Sequence, residues 1–273
     1  MTPASERAPA AGVFSVERVS ARPGGRAVLE DVSFEVRAGE RVVVLGVNGC
    51  GKTTLLRLLD GLAFPDVGEV RYAGRRLEGT ALDEPAFRRR FRGEVALLFQ
   101  NVDAMLFNPT VADEIAFGPR QLGMADAGAR VARWAETFDV AGLLDRAPFE
   151  LSGGEKKRVA LAALLAVEPR VLLLDEATAN LDPASVGRLV DVLANVPGLT
   201  VVATTHNLSM APELGDRAVL LAPGRKGVLY DGDAHGLLHD EKLLVESGLA
   251  HRHVHRHGAD GHVHAHYHVH DSE

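Results

Sequence analysis

The chain has one cysteine, Cys50, among its 273 residues. A lone thiol excludes an intrachain disulfide framework and fits a reducing compartment. Long apolar runs are equally scarce. The nearest, LAALLAVEPRVLLLDEA, is broken by Glu168, Pro169 and Arg170. Nothing approaches the ~20 residues needed to span a bilayer. The opening MTPASERAPAAG lacks the apolar stretch of a secretory signal, so a cytoplasmic location is expected. There is no surplus of positive charge either. The formal net charge is −7, which argues against a nucleic-acid partner. What remains is ordinary globular composition, 46% hydrophobic and 25% charged, with no internal repeat.

Residues 1–12, rich in Ala, Pro and Ser, read as a disordered leader. Residues 13–249 read as one α/β domain. VFSVERV and AVLEDVSFEV are short β patterns, the second alternating. ERVVVLG, EVALLFQ, VLLLDEA and TVVATTH are apolar enough for strands buried on both faces. KTTLLRLLDGL predicts a helix ending near Gly61, and RAVLLA with GVLY a closing β pair. From about 108 to 166 the pattern turns helical, with Pro and Gly punctuation, which predicts an inserted helical subdomain. Residues 234–249 read as one further helix, and 250–273 as a flexible histidine-rich tail.

Three motifs carry chemistry. GVNGCGKTT comprises Gly46, Val47, Asn48, Gly49, Cys50, Gly51, Lys52, Thr53 and Thr54, and it lies between a buried strand and a helix. Its glycines allow backbone N–H groups to cradle phosphate oxygens, Lys52 reaches terminal phosphates and Thr53 can ligate Mg²⁺. In RVLLLDEATANLD a strand delivers Asp175 to the Mg²⁺ shell, and Glu176 follows as a candidate acceptor of a proton from attacking water. LSGGEKKRVALAALLA opens with Ser152, Gly153, Gly154 and Glu155 at a helix start, which makes a second anion-binding device. Two such devices in one chain cannot easily grip one nucleotide within one subunit.

With these motifs, residues 13–247 resemble an ATP-binding-cassette ATPase, the nucleotide-binding subunit of a transporter. The resemblance implies the P-loop NTPase fold with an antiparallel β subdomain and an inserted helical subdomain. It also implies ATP and Mg²⁺, and a second cassette subunit facing the first head to tail. Each ATP would lie between the phosphate loop of one subunit and the LSGGE segment of the other. It further implies that Gln100 links the Mg²⁺ shell to a transmembrane subunit, that Asp182 acts across the dimer and that His206 meets the γ-phosphate. Two positions depart from the family. SARPGGRAVL holds no aromatic residue to stack on adenine, leaving Arg22 as a candidate, and Ala177 stands where proline is usual.

FQNVDAMLFNPTVADEIAFGPRQLGM resembles the ATPases of energy-coupling-factor importers, especially the cobalt and nickel branch. That resemblance implies work at the cytoplasmic face of the cell membrane, held there peripherally by transmembrane subunits. Phe107, Pro109 and VADEIAFG are then candidates for the docking surface, with core packing the competing reading for Phe107 and Phe117. A vitamin importer shares the architecture. A non-transport cassette ATPase and a metal-storage protein with an incidental ATPase fold are further alternatives.

The histidines bear on cargo. Nine of twelve are His251, His253, His255, His257, His262, His264, His266, His268 and His270. Protonating all twelve would carry the formal charge from −7 to about +5 near the imidazole pKa of about 6.5. Neutral imidazoles bind Ni²⁺, Co²⁺, Zn²⁺ and Cu²⁺, so the tail is expected to hold Ni²⁺ or Co²⁺ without selecting between them.

Overall fold

The structure is a computed structural model that describes residues 12–221, 227–257 and 262–269. β1 (Gly12–Ala21), β2 (Leu29–Arg37), β4 (Val67–Tyr72) and β5 (Arg75–Arg76) form an antiparallel sheet in the order β2-β1-β4-β5. The alternation of β2 is realised as predicted. Leu29, Val32, Phe34 and Val36 are buried, whereas Asp31, Ser33 and Glu35 face solvent.

The second sheet contains β3 (Arg41–Leu45), β6 (Val95–Leu98), β7 (Val171–Asp175), β8 (Thr200–Thr205), β9 (Arg217–Leu221) and β10 (Val228–Asp233), in the order β10-β9-β3-β8-β7-β6. Its pairs are parallel except β9–β10, the closing pair. The continuous apolar runs have a direct cause: both faces are covered. In β3, Val43 and Leu45 join a core with the helical subdomain, while Val42 and Val44 join the core shared with the antiparallel sheet.

α1 (Lys52–Leu59) follows β3; α2 (Gly79–Asp83) and α3 (Pro85–Glu94) precede β6. α4 (Val111–Gln121), α5 (Ala127–Thr137) and α6 (Gly153–Ala166) pack on one another as the helical insertion. α7 (Pro183–Asn195) connects β7 to β8. Three short helices follow: α8 (Ala211–Leu214), α9 (Ala234–Leu237) and α10 (Glu241–Glu246). The single helix expected over 234–249 is therefore two. Asp240 starts the second by accepting the Leu243 N–H at 2.9 Å, which a continuous helix would not permit. No sequence pattern announced β4, β5, α2 or α3. The α3 segment PAFRRRFRGE shows only Phe87 and Phe91 as apolar signal, and the two stack in the core with Tyr72 against Phe91.

Among the described residues no helix is long and apolar enough to cross a membrane. Residues 250–273, read from sequence as a flexible tail, contain two paired strands, β11 (Ala250–His257) and β12 (His262–Val269). His270 and residues 1–11 of the leader lie outside the described residues.

Asp60 joins α1 to α3. It is buried at the end of α1, where Arg92 donates to its carbonyl oxygen at 2.8 Å and to its carboxylate at 3.0 Å. Burial pushes the Asp60 carboxyl up to about 6, against the pull of Arg92. Its folded pKa thus exceeds the unfolded value. Its contribution to stability is full below about pH 4 and is lost as pH rises through about 6. Urea unfolding of Asp60→Asn should show a flatter stability curve than the parent between pH 4 and 6, with a gain of ~1 kcal/mol at pH 7. Identical pH dependence in both proteins would refute the assignment.

Candidate nucleotide site

The loop after β3 needs glycine at two places for reasons the backbone makes explicit. Gly46 has φ +151° and Gly51 has φ +104°. A Cβ on Gly46 would sit 2.5 Å from the Leu221 carbonyl oxygen, and one on Gly51 2.7 Å from that of Val28. The loop therefore turns tightly into the N-terminus of α1. Lys52 begins that helix, is buried, and folds its ammonium back to donate to the Gly46 carbonyl at 2.6 Å.

Parallel strands end at one edge of the sheet, and that edge gathers the remaining groups. Leu45 of β3 pairs with Thr205 of β8, and Asp175 of β7 with Thr204. The buried Asp175 carboxylate is held on both oxygens. Thr53 donates to Oδ2 and Thr204 to Oδ1, each at 2.8 Å. Glu176 leaves the strand in a left-handed conformation, φ +50°, which non-glycine residues seldom adopt. Its N–H donates to the Thr204 hydroxyl at 3.1 Å, and its carbonyl accepts from Lys157 Nζ at 3.1 Å. Pinned this way, its carboxylate lies 3.5 Å from Lys52 Nζ and 2.9 Å from His206 Nδ1.

A cavity of about 330 Å³ opens over this group, lined by Val28, Asn48, Lys52, Thr53, Gln100 and Glu176 among others. A buried ammonium over a glycine loop, beside a hydroxyl and a carboxylate in mutual contact, matches the donors and acceptors that an Mg²⁺-bound triphosphate requires. A second cavity, about 440 Å³, shares Asn48 and Glu176 and is lined by Ala179, Asn180 and His206. Arg22 lines neither. It borders a separate polar cleft with Glu30 and Asp31, leaving Val28 as the apolar side chain at the phosphate-loop cavity. Cys50, in the loop, is buried as a small filler, and burial pushes its thiol up.

Ser152–Glu155 open α6 as a capping box. The Ser152 hydroxyl donates to the Glu155 carboxylate at 2.6 Å, the Ser152 N–H does so at 2.8 Å, and the Glu155 N–H donates to the Ser152 hydroxyl at 3.4 Å. These bonds hold the Glu155 carboxyl below the usual range. None of the four residues lines the phosphate-loop cavity. Asp182 is also outside it; it caps α7 by accepting from the Ser185 N–H at 2.9 Å and from its hydroxyl at 2.6 Å.

Besides Thr204, two residues whose structural roles the sequence did not show, Lys157 and Glu114, organise the site and the groove beside it. Lys157, buried in α6, donates to the carbonyls of Glu176 at 3.1 Å and Ala179 at 2.5 Å. Burial pushes its ammonium down, and the nearby Glu176 and Asp175 oppose that shift. Glu114, buried in α4, accepts on one oxygen from the backbone N–H groups of Phe107 and Asn108, at 2.9 and 2.8 Å. It thereby presents Phe107, 67% exposed, edge-on to Phe117 at 5.0 Å between ring centres. Both rings border an apolar groove of about 390 Å³. Within VADEIAFG, Val111, Ile115 and Ala116 instead face the core. The only advance signal was the KKR and DE charges inside otherwise apolar helices.

A phosphate loop, a strand-end Asp–Glu pair and a histidine at the next parallel strand, on a sheet covered on both faces, define a P-loop nucleoside triphosphatase. Residues 29–179 match the family described as ABC transporter. The nickel import ATP-binding protein NikO of Rhodobacter capsulatus is 40% identical over 86% of this chain and 95% of that protein. The cobalt import ATP-binding protein CbiO of the same organism is 41% identical over 83% of this chain and 80% of that protein. The solved structure of cbiO1 from Clostridium perfringens, described as part of the ABC transporter complex cbiONQ, gives a TM-score of 0.71 at 26% identity, covering 87% of this chain and 95% of that one. The chain belongs to the ABC transporter family and is an ATP-hydrolysing member of it.

With its ammonium on the Glu176 and Ala179 carbonyls, Lys157 is expected to act through Glu176 as a positioning residue. Lys157→Met should leave the KM for ATP within about twofold while kcat falls at least about tenfold, because the loop that aims Glu176 loses its brace. Steady-state ATPase kinetics on folded variant protein check this; an unchanged kcat would remove Lys157 from the site.

Proposed function

We propose that the chain is the peripheral ATPase subunit, at the cytoplasmic face of the cell membrane, of an importer of Ni²⁺ or Co²⁺. One observation carries the pairing with a second cassette: the Ser152–Glu155 helix start stands apart from the phosphate-loop cavity of its own chain. A nucleotide completed by both devices is shared by two subunits. Import of these ions is supported by the named relatives and by the histidine-rich residues 251–270, a store of imidazole ligands for the arriving ion. The groove bearing Phe107 and Phe117 is the proposed seat of a transmembrane subunit; an apolar surface of this kind suits a helix laid into a groove.

The chain's own residues divide the work. Lys52, whose ammonium now caps the Gly46 carbonyl, binds the terminal phosphates in its place. Thr53, Asp175 and Gln100 would hold Mg²⁺, which when bound neutralises charge on the phosphates. The Glu176 carboxylate orients the attacking water and takes its proton, and His206, beside it, bears on the γ-phosphate. Asp182 sits at the head of α7 for contact with the second subunit.

Cells expressing the chain with its membrane partner should take up labelled Ni²⁺ or Co²⁺, and Glu176→Gln should abolish uptake. That variant should bind ATP as the parent does and hydrolyse it about 10²-fold more slowly or worse. Uptake of neither ion would reject the cargo assignment, and parent-like hydrolysis would reject the role of Glu176. Mixing Lys52→Ala with Ser152→Ala protein should restore ATPase activity that each variant lacks alone, since mixed pairs regain one intact pocket. Full activity in monomers would overturn the shared site.

A further inference from the structure

Histidine occupies every second position along β11 and β12, and a strand places every second residue on one face. Alternation alone does not say whether the two sets meet. The register does. His251 pairs with His268, His253 with His266, His255 with His264 and His257 with His262. The intervening pairs are Arg252–Tyr267, Val254–Ala265 and Arg256–Val263. All eight histidines of the hairpin therefore share one face, in four consecutive cross-strand pairs. Among the described residues no group of three or more His, Cys, Asp or Glu side chains is already gathered to hold a metal ion.

Backbone spacing sets the size of a site. Paired residues stand roughly 5 Å apart across the strands, and the next pair on the same face lies about 6.7 Å further along. Two neighbouring pairs thus frame one rectangle of four imidazole-bearing positions. A third pair lies about 13 Å from the first, too far to share an ion with metal–nitrogen bonds of about 2 Å.

We propose that the histidine-paired face of this hairpin binds late first-row divalent cations, each ion shared by two neighbouring cross-strand pairs, so that one hairpin takes two ions. The identity of the ion as Ni²⁺ or Co²⁺ rests on the import reading; the geometry itself accepts Zn²⁺ and Cu²⁺ as well. Pairing and binding are coupled. The hairpin pairs with no third strand among the described residues, and isolated two-stranded hairpins are marginal in water. An ion bridging both strands cross-links them, and its binding free energy adds to hairpin stability. α10 packs against β11, and Ala250, the first residue of β11, is buried, so the site is tethered directly to the ATPase core.

The test uses the full chain, NiCl₂ as the probe, and a variant of identical composition. Exchanging neighbours at two places, His264→Ala with Ala265→His and His268→Val with Val269→His, leaves two histidines on each face of β12. Neither the present register nor a one-residue slip then yields two neighbouring pairs. The parent should bind two Ni²⁺ by equilibrium dialysis and show slowed amide exchange across 250–269 on adding Ni²⁺. The variant should bind at least tenfold more weakly and show no such slowing. A control, Val263→Ala with Ala265→Val, should match the parent. Equal Ni²⁺ affinity in parent and rearranged variant would overturn the proposal, because composition rather than pairing would then explain binding; so would binding by the parent without slowed exchange. Neither readout involves ATP or transport, so failure here leaves the import reading standing, and absent uptake leaves these readouts unaffected.

Discussion

Glu176 sits in the left-handed region with both of its backbone polar groups buried, and the rest of the site depends on how that is tolerated. A residue in this conformation has left the β ladder, so neither its N–H nor its carbonyl has a strand partner. An unmade buried hydrogen bond costs ~1–3 kcal/mol. The Thr204 hydroxyl, from the neighbouring strand, takes the N–H, and the carbonyl accepts from the Lys157 ammonium of the helical insertion and from the Ala179 N–H at 3.2 Å. The aim of the Glu176 carboxylate is thus decided jointly by the sheet and by the helix whose start carries Ser152.

The same arrangement balances buried charge. Lys52, Lys157, Asp175 and Glu176 are all buried, two of each sign. Isolated, each would be costly; together, with threonine hydroxyls on both Asp175 oxygens, every charge has a partner. In this state Lys52 and Glu176 lie in contact range of each other. The groups proposed to meet phosphate and water are therefore held in place by the bonds they make among themselves.

Distance along the chain is converted into coupling by α6. Its first turn is the capping box at Ser152, its second turn carries Lys157, and its body packs against α4, where Glu114 sets the pose of Phe107. A rigid helix thus connects the proposed inter-subunit contact, the proposed acid–base carboxylate and the proposed membrane-facing groove, so that in the proposed assembly subunit pairing and partner docking would act on one mechanical element.

Much of this was legible locally. β3, β7 and β8 were apparent as apolar runs because both faces of a parallel sheet are covered, and Gly46–Thr54, Asp175 and Glu176 because phosphate and Mg²⁺ chemistry demands those residue types at fixed spacing. β4, β5, α2 and α3 were not, since their apolar signal is one or two residues deep, and the helix read over 234–249 divides at Asp240, whose side chain competes for the backbone. The roles of Thr204, Lys157 and Glu114 were hidden for a different reason: each is a side-chain bond to backbone that only the packing of separate elements brings within reach. Arg22, the sequence candidate for the base, lies in another cleft because the turn at Pro23 carries it away from the loop. Sequence alone determined which candidate residue types stand on which strand ends, because that depends on neighbours in the chain. Tertiary structure decided how the carboxylate is aimed, that the second anion device faces outward, and that alternating histidines meet as pairs, because each depends on which segments lie side by side.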